Sequence, residues 1–434
     1  MEIILEHVRS FASRQRIQLR PLTLLVGENS SGKSTFLATV SCILDGVNYP
    51  FAPPFNSPPY NLGTFDTIAT YKAGRYGRDD DFSLGFTSRE KSGKSPREVI
   101  ATYKNVSGHV SLARFLGRSE YGDLTIDCSA TSLSAALKPG PGDGLQFGPI
   151  EFESDKLIDR IRRVPLYAFA PLIFETVRQR PGNKQPGVEA FQRLVNALDA
   201  ARPPFGRCYS CAPIRSKPRR TYDELSEEYS PEGDHIPTLL ARLLGQERSS
   251  ADAERVMTAL KDFGTESGLF RKVDVKRLGK KASDPFQLQV AVAGPAVNLT
   301  DVGYGISQAL PIIVQTVLKG SGPALLMQQP EVHLHPRAQA ALGTFFAKFV
   351  ADERKRMVVI ETHSDYLVDR VRQEVATETI DPSRVLILFF HKPELETKVF
   401  PITLDKLGNV ENAPPEYREF FLTEELDLFN RTAP

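Results

Sequence analysis

The chain has 434 residues, 41% of them hydrophobic and 25% charged, which is the composition of an ordinary globular protein with room for two to three domains. Its formal net charge of +1 does not mark the whole molecule as a polyanion binder, and four cysteines are too few for a disulfide framework. There is no long apolar run of membrane-spanning length, and the N-terminus MEIILEHVRSF lacks a basic region followed by an apolar stretch. The expectation is a soluble, cytoplasmic protein without a membrane partner.

In chain order, MEIILEHV and IQLRPLTLLV read as short strands, and LTLLV has the unbroken apolar character of a strand buried on both faces. GENSSGKST follows, then FLATVSCIL, in which Phe36, Leu37, Val40 and Leu44 recur at helical spacing. Beyond Gly46 the proline-rich NYPFAPPFNSPPYNLG breaks regular structure; residues 64–150 read as β-rich, with the basic SREKSGKSPRE as a loop or hairpin tip and PGPGDG as a boundary. Residues 151–270 are expected to form an inserted, mainly helical lobe, with EAFQRLVNALDA and HIPTLLARLLG as helices and no sustained heptads. From 271 to 434 strands and helices alternate: FQLQVAVAG, GISQALPIIVQTVL, ALLMQQP, a helix from Pro336, MVVIETH, a further helix, and strands in RVLILFFHKPELETKVFPITL. Such alternation predicts an α/β core assembled from residues 1–150 and 271–434 around the insertion.

Gly27 to Ser34 spell the full GxxxxGK[ST] string between a buried strand and an amphipathic helix. Glycines let the backbone curl so that amides around Gly27, Asn29, Ser30 and Gly32 point at phosphate oxygens. Lys33 brings positive charge, Ser34 supplies a hydroxyl suited to Mg²⁺, and Thr35 continues the helix start. The string predicts binding of ATP with Mg²⁺.

Three distal strings extend the site: LTDVGYGISQALP at 299–311, ALLMQQPEVHLHP at 324–336 and MVVIETHS at 357–364. In this order after the phosphate loop, they resemble the ABC-type (SMC-like) ATPase head. The overcoming-lysogenization-defect (OLD) ATPases and their stand-alone bacterial relatives are the most similar group. The resemblance covers residues 1–45 and about 295–400 well and the middle loosely. It implies an ABC-ATPase-type head, a P-loop NTPase mixed sheet flanked by helices. It implies that Gly303, Gly305 and Ser307 belong to a signature loop that reaches a partner's nucleotide in trans. It further implies that Gln328 and Gln329 end the Walker B strand as catalytic positions, that Glu331, His333 and His335 belong to the D-loop, and that His363 is the switch histidine. The site is then shared between two copies, with ATP joining a homodimer or higher oligomer.

Departures from the pattern matter as much. Gly303 stands where a signature serine is usual, unless Ser307 takes that role; Asp66 is the nearest substitute for a Q-loop glutamine. Glutamine at 328 and 329 neither takes a proton nor neutralises a cation, so hydrolysis by this chain is expected to be weak or blocked. Two origins stay open: a natural ATP-holding switch, or an introduced Glu→Gln change that traps the bound state. Relatives of this kind stand beside a separate effector, a nuclease or toxin, in bacterial anti-phage defence. The alternative is a DNA-maintenance ATPase of the recombination-mediator type. The stretch after His363 is too short for the metal-dependent nuclease domain that OLD nucleases carry, so a separate effector is the expectation.

Weaker signals have plain readings beside sharp ones. The single pair Cys208 and Cys211 lacks the second pair of a zinc site. The basic run Arg215–Arg220 either contacts nucleic acid or is paired internally with the acidic TYDELSEEY after it. Arg14 and Arg16 are candidates for nucleotide contacts or solvated hairpin charges.

Overall fold

The computed structural model describes residues 1–72, 77–88, 97–129, 133–138, 147–152, 166, 188–204, 208–223, 228–245, 250–281, 283–318, 324–351, 356–417 and 419. The expected basic hairpin tip, the PGPGDG boundary and most of the C-terminal PPEYREFFLTEELDLFNR segment lie outside them. The architecture is mixed α/β, as the sequence predicts, and the chain divides into two units.

One unit comprises Met1–Leu19, Ser34–Ser210 and Pro393–Thr397. It is built on an antiparallel sheet of eight strands that contains Glu2–Glu6 and continues as a meander from Asp81–Ser88 through Arg97–Val106, His109–Ser119, Gly122–Cys128 and Leu133–Lys138 to Phe147–Phe152. Successive hairpins need only short connections, which suits the closely spaced β-rich sequence. The proline-rich segment contributes side chains to the core of this unit. Phe55 and Tyr103 meet edge to face at 5.4 Å, and Tyr103 stacks on Phe82 at 5.3 Å. The buried hydroxyls are satisfied by backbone: Tyr49 donates to Leu84 O at 2.9 Å and Tyr103 to Pro50 O at 2.9 Å. The helices Lys33–Leu44 and Val188–Ala200 lie in this unit, apart from Lys33 itself.

The other unit comprises Arg20–Lys33, Cys211–Lys392 and Lys398–Pro434. Its sheet carries the strands Ala324–Gln328, Met357–Glu361, Leu22–Gly27, Val385–His391, Lys398–Leu404 and Val410–Glu411 in that spatial order. The first four are parallel, and their runs ALLM, MVVI, LTLL and VLILFF are buried throughout. Helices Ala251–Ser267, Tyr304–Leu318, Pro336–Ala351 and Asp365–Ala376 pack in the same unit. Ser250 caps the first by accepting from Ala253 N at 3.2 Å, and Gly268, at φ +72°, ends it. Ser364 caps the last by accepting from Leu367 N at 3.1 Å, which fixes where the chain leaves the strand that carries Glu361. Among the described residues no helix is long and apolar enough to cross a membrane.

Candidate functional site

Parallel strands bring their carboxyl ends to one edge of the sheet, where ligands of open α/β sheets bind. Here that edge collects Gly27, Gln328, Glu361 and His391. Gln328 is the register partner of Glu361, Glu361 of Leu25, and Phe390 of Gly27. Residues far apart in sequence are therefore placed side by side by strand pairing alone.

The phosphate loop leaves this edge through backbone conformations unusual for L residues: Gly27 at φ +133°, Ser30 at +62° and Gly32 at +104°. Glu28, Asn29, Ser30 and Ser34 are exposed on the loop and first helical turn, whereas Lys33 is 3% exposed. The Lys33 ammonium donates to Gly27 O at 2.9 Å and Glu28 O at 2.6 Å. Burial pushes its pKa below the ordinary lysine value, and the negative charges of Glu361 and Glu28 pull it part of the way back. A desolvated cation at the start of a 12-residue helix favours an anion.

Gln329 follows the strand end in a left-handed conformation, φ +44°, with its N–H donated to Glu361 O at 2.8 Å. Two residues on, Glu331 is buried; its Oε1 accepts the His363 N–H at 2.7 Å, and its Oε2 has no hydrogen-bond partner. His363 is exposed, and its pKa is lowered by burial of part of the ring and then by the nearby Lys33 charge. Lys33, Glu361, Glu331 and His363 thus form one electrostatic group.

The segment from Gly303 to Ser307 meets the chain at His333 and Leu334. Gly303 is exposed and a side chain there would meet open space, while a Cβ on Gly305 would stand 2.9 Å from His333 O. The Tyr304 and His333 rings meet edge to face at 5.1 Å. Ser307 is buried and its hydroxyl donates to Tyr304 O at 2.7 Å, so it is turned into the helix in this structure. His335 is exposed, and its Nδ1 accepts from Ala338 N at 3.4 Å beside the start of the helix Pro336–Ala351.

Two arginines carry more of the geometry than the sequence reading gave them. Arg215 is 2% exposed and donates to Gln308 O at 3.2 Å and Gln329 O at 2.9 Å, tying the helix Tyr304–Leu318 to the turn after the strand Ala324–Gln328. Arg220 pairs with Asp301. At least two charges of the basic run are therefore used internally. Arg9, in the other unit, was missed: it adopts φ +48° and donates to Thr35 Oγ1 at 3.2 Å, against the first turn of the phosphate-loop helix. Arg14 and Arg16 instead pair with Glu6 at 2.6 Å and Glu98 at 2.8 Å. The positive φ of Arg9 has no sequence signature, since arginine is not a residue that favours it.

A cleft of about 580 Å³ opens beside the loop, and its lining includes Gly27, Glu28, His363, Phe389, His391 and Tyr417. Asp66 lies on the short helix Phe65–Ile68 of the first unit. Cys208 and Cys211 are free thiols whose pKa values burial pushes up. Among the described residues no group of three or more His, Cys, Asp or Glu side chains is set to hold a metal. A nucleotide-bound Mg²⁺ does not need one, because phosphates and water fill most of its shell. The residues present fit such a group. Lys33 is a buried cation at the start of the loop helix, and Ser34 is exposed on its first turn.

Burial raises the Glu331 pKa above the ordinary glutamate value, and the His363 amide and Arg215 charge only restrain the rise. The folded state therefore binds this proton more tightly than the unfolded state. The associated stabilisation is fully present below the unfolded pKa and is lost as pH rises through the folded one. Denaturant titrations across the acid range should show wild type gaining stability on acidification relative to Glu331→Gln; parallel pH curves for the two would count against this account.

Residues 254–369 match the sequence model of the family described as "AAA domain, putative AbiEii toxin, Type IV TA system". The matched span includes Gly303 to Ser307, both glutamines, Glu331 to His335 and His363. Among solved structures, the chain is similar to an SMC head bound to the C-winged helix domain of ScpA (TM-score 0.48, 10% identity, 93% of this chain and 98% of that one). It is also similar to the SMC head domain from Thermotoga maritima (TM-score 0.41, 10% identity, 92% and 97%). A third is an Smc head domain with an extended coiled coil bound to the C-terminal domain of ScpA, derived from Pyrococcus furiosus (TM-score 0.45, 9% identity, 98% and 98%). No curated protein sequence matches the chain.

Proposed function

We propose that this chain is an ATP-binding switch subunit: two copies pair around ATP with Mg²⁺, and the paired state controls a separate effector such as a nuclease or toxin, in bacterial anti-phage defence. The observation that supports the reading is that the chain carries two elements suited to a phosphate, read here as the two halves of a shared site. One half is the group formed by Lys33, Glu361 and His363 at the sheet edge. The other is the exposed Gly303 and the helix Tyr304–Leu318 behind it, packed on the D-loop at His333. A glycine-led helix N-terminus suits a γ-phosphate, and here a second copy would present one.

In this reading Lys33 and the loop amides bind the phosphates, and Ser34 holds the cation, which offsets phosphate charge when bound. His363 contacts the terminal phosphate as a neutral donor, consistent with its lowered pKa. Glu331 positions His363 by accepting its backbone N–H. Gln328 and Gln329 leave the attacking water without the usual base, so turnover is slow and the bound state long-lived. The match to a family described in terms of a toxin and a type IV TA system supports a role beside an effector. With Arg215 and Arg220 tied internally, the run 215–220 offers less charge to nucleic acid.

Mass measurement of the purified chain with and without ATP and Mg²⁺ tests the reading. Wild type is expected to double in mass with ATP, and Lys33→Ala to stay monomeric. Gln328→Glu should raise turnover at least roughly tenfold, the usual scale for a restored acid–base or charge group. A monomer at saturating ATP, or brisk wild-type turnover equal to that of Gln328→Glu, would sink the proposal.

A further inference from the structure

We infer that Glu361 is the carboxylate of the phosphate site and does for a nucleotide-bound divalent cation what Gln328 cannot. This rests on the nucleotide-binding reading above. A hard cation and its water shell call for charged oxygen, and an amide side chain offers only a neutral one. Strand pairing puts the missing charge one strand closer to the loop than Gln328 is. Glu361 is the register partner of Gln328 on one side and of Leu25, in the phosphate-loop strand, on the other.

The position is rigid. Glu361 O accepts from Gln329 N at 2.8 Å, and the next residue, Thr362, donates to Leu25 O at 3.1 Å, so the backbone is pinned to both neighbouring strands. The residue is 4% exposed, and a carboxylate so buried is costly without a compensating charge. Lys33 supplies that charge: among the groups acting on the Lys33 ammonium, Glu361 is the largest negative contribution, ahead of Glu28. The phosphate-binding lysine and this carboxylate therefore form a pre-set pair of opposite charges. A magnesium nucleotide is itself such a pair, with phosphate oxygens for Lys33 and a cation for Glu361.

The neighbouring carboxylates are less suited. Glu331 is buried with one oxygen committed to the His363 amide, which leaves a single oxygen for any other partner. Glu28 is exposed on the loop itself, where its carbonyl already accepts from Lys33. In a sequence string Glu361 sits just before the switch histidine, three residues from the helix Asp365–Ala376, and nothing in its spacing connects it with the glutamines 33 and 32 positions earlier.

The test is binding of a fluorescent ATP analogue to the full chain, with Mg²⁺ and with EDTA. Wild type should bind more tightly with Mg²⁺. Glu361→Gln should lose that enhancement, while its affinity in EDTA stays level or rises because a negative charge near the phosphates is gone. A merely structural residue would weaken both conditions together. Glu361→Asp, which keeps the charge and withdraws it by one methylene, should retain part of the enhancement; it decides the matter if the Gln variant does not fold by its melting profile. Full Mg²⁺ enhancement in Glu361→Gln, or equal loss in both conditions, overturns the inference. Failure of wild type to bind the analogue in either condition overturns the nucleotide-binding reading instead.

Discussion

Gly27→Ala is expected to cost about 3–5 kcal/mol and to abolish ATP binding. At φ +133° Gly27 holds a backbone conformation closed to L side chains, and an added Cβ would stand 2.2 Å from the Phe390 carbonyl oxygen. That oxygen belongs to the neighbouring strand Val385–His391, in which Phe390 is the register partner of Gly27. Relief requires either the phosphate loop to turn differently out of its strand or the two strands to part at their ends. Both move the amides that face the phosphates. Gly108→Ala is the matching control: at φ +84° it carries the conformational penalty, but nothing lies within 4 Å of its Cβ, so about 1 kcal/mol is expected. Denaturant midpoints for the two variants, with nucleotide affinity for Gly27→Ala, decide the matter. Similar small losses in both would show that the close approach to Phe390 does not constrain the loop.

The parts of this fold that a sequence reader finds are those where local pattern and tertiary placement agree. LTLLV, ALLM, MVVI and VLILFF read as buried strands because a parallel sheet covered on both faces tolerates no alternation, and each forms one. The phosphate loop is legible because its chemistry lies in eight consecutive residues. The opposite holds where chemistry is assembled across strands. Glu361 enters the site through register with Gln328 and Leu25, a relation no spacing encodes. Arg9 depends on a left-handed backbone that arginine does not advertise. Arg215 sits in a run whose composition reads as a surface loop, RSKPRR followed by acidic residues, yet it is buried against backbone carbonyls. Composition averages over a run, and burial distinguishes its members one by one.

That burial makes Arg215→Met the second large prediction. Methionine approximates the apolar stem but removes two charge-assisted donors, leaving Gln308 O and Gln329 O without the side-chain partners they now have. Bonds of that kind contribute about 1.5–3 kcal/mol each, and removing a desolvated guanidinium whose Nε is itself unpartnered returns part of the loss. The net expectation is about 2–4 kcal/mol of destabilisation in the unit that contains residues 211–392. Lysine should rescue poorly, because one ammonium on a flexible stem cannot reproduce a planar fork spanning two carbonyls. A second effect separates this account from simple loss of packing. The Arg215 charge holds the Glu331 pKa down, so its removal should push that pKa further up. The stability that wild type loses as pH rises through the folded Glu331 pKa would then be lost over a higher pH window in Arg215→Met, and the extra dependence should vanish in the double variant with Glu331→Gln. Because Arg215 bridges Gln308 O and Gln329 O, and Gln329 occupies a left-handed turn after the strand Ala324–Gln328, the same variant should also uncouple that turn from the helix Tyr304–Leu318. The signature would be ATP-driven pairing that weakens more than ATP binding to the single chain does. Equal losses in both would reduce Arg215 to a residue of the core.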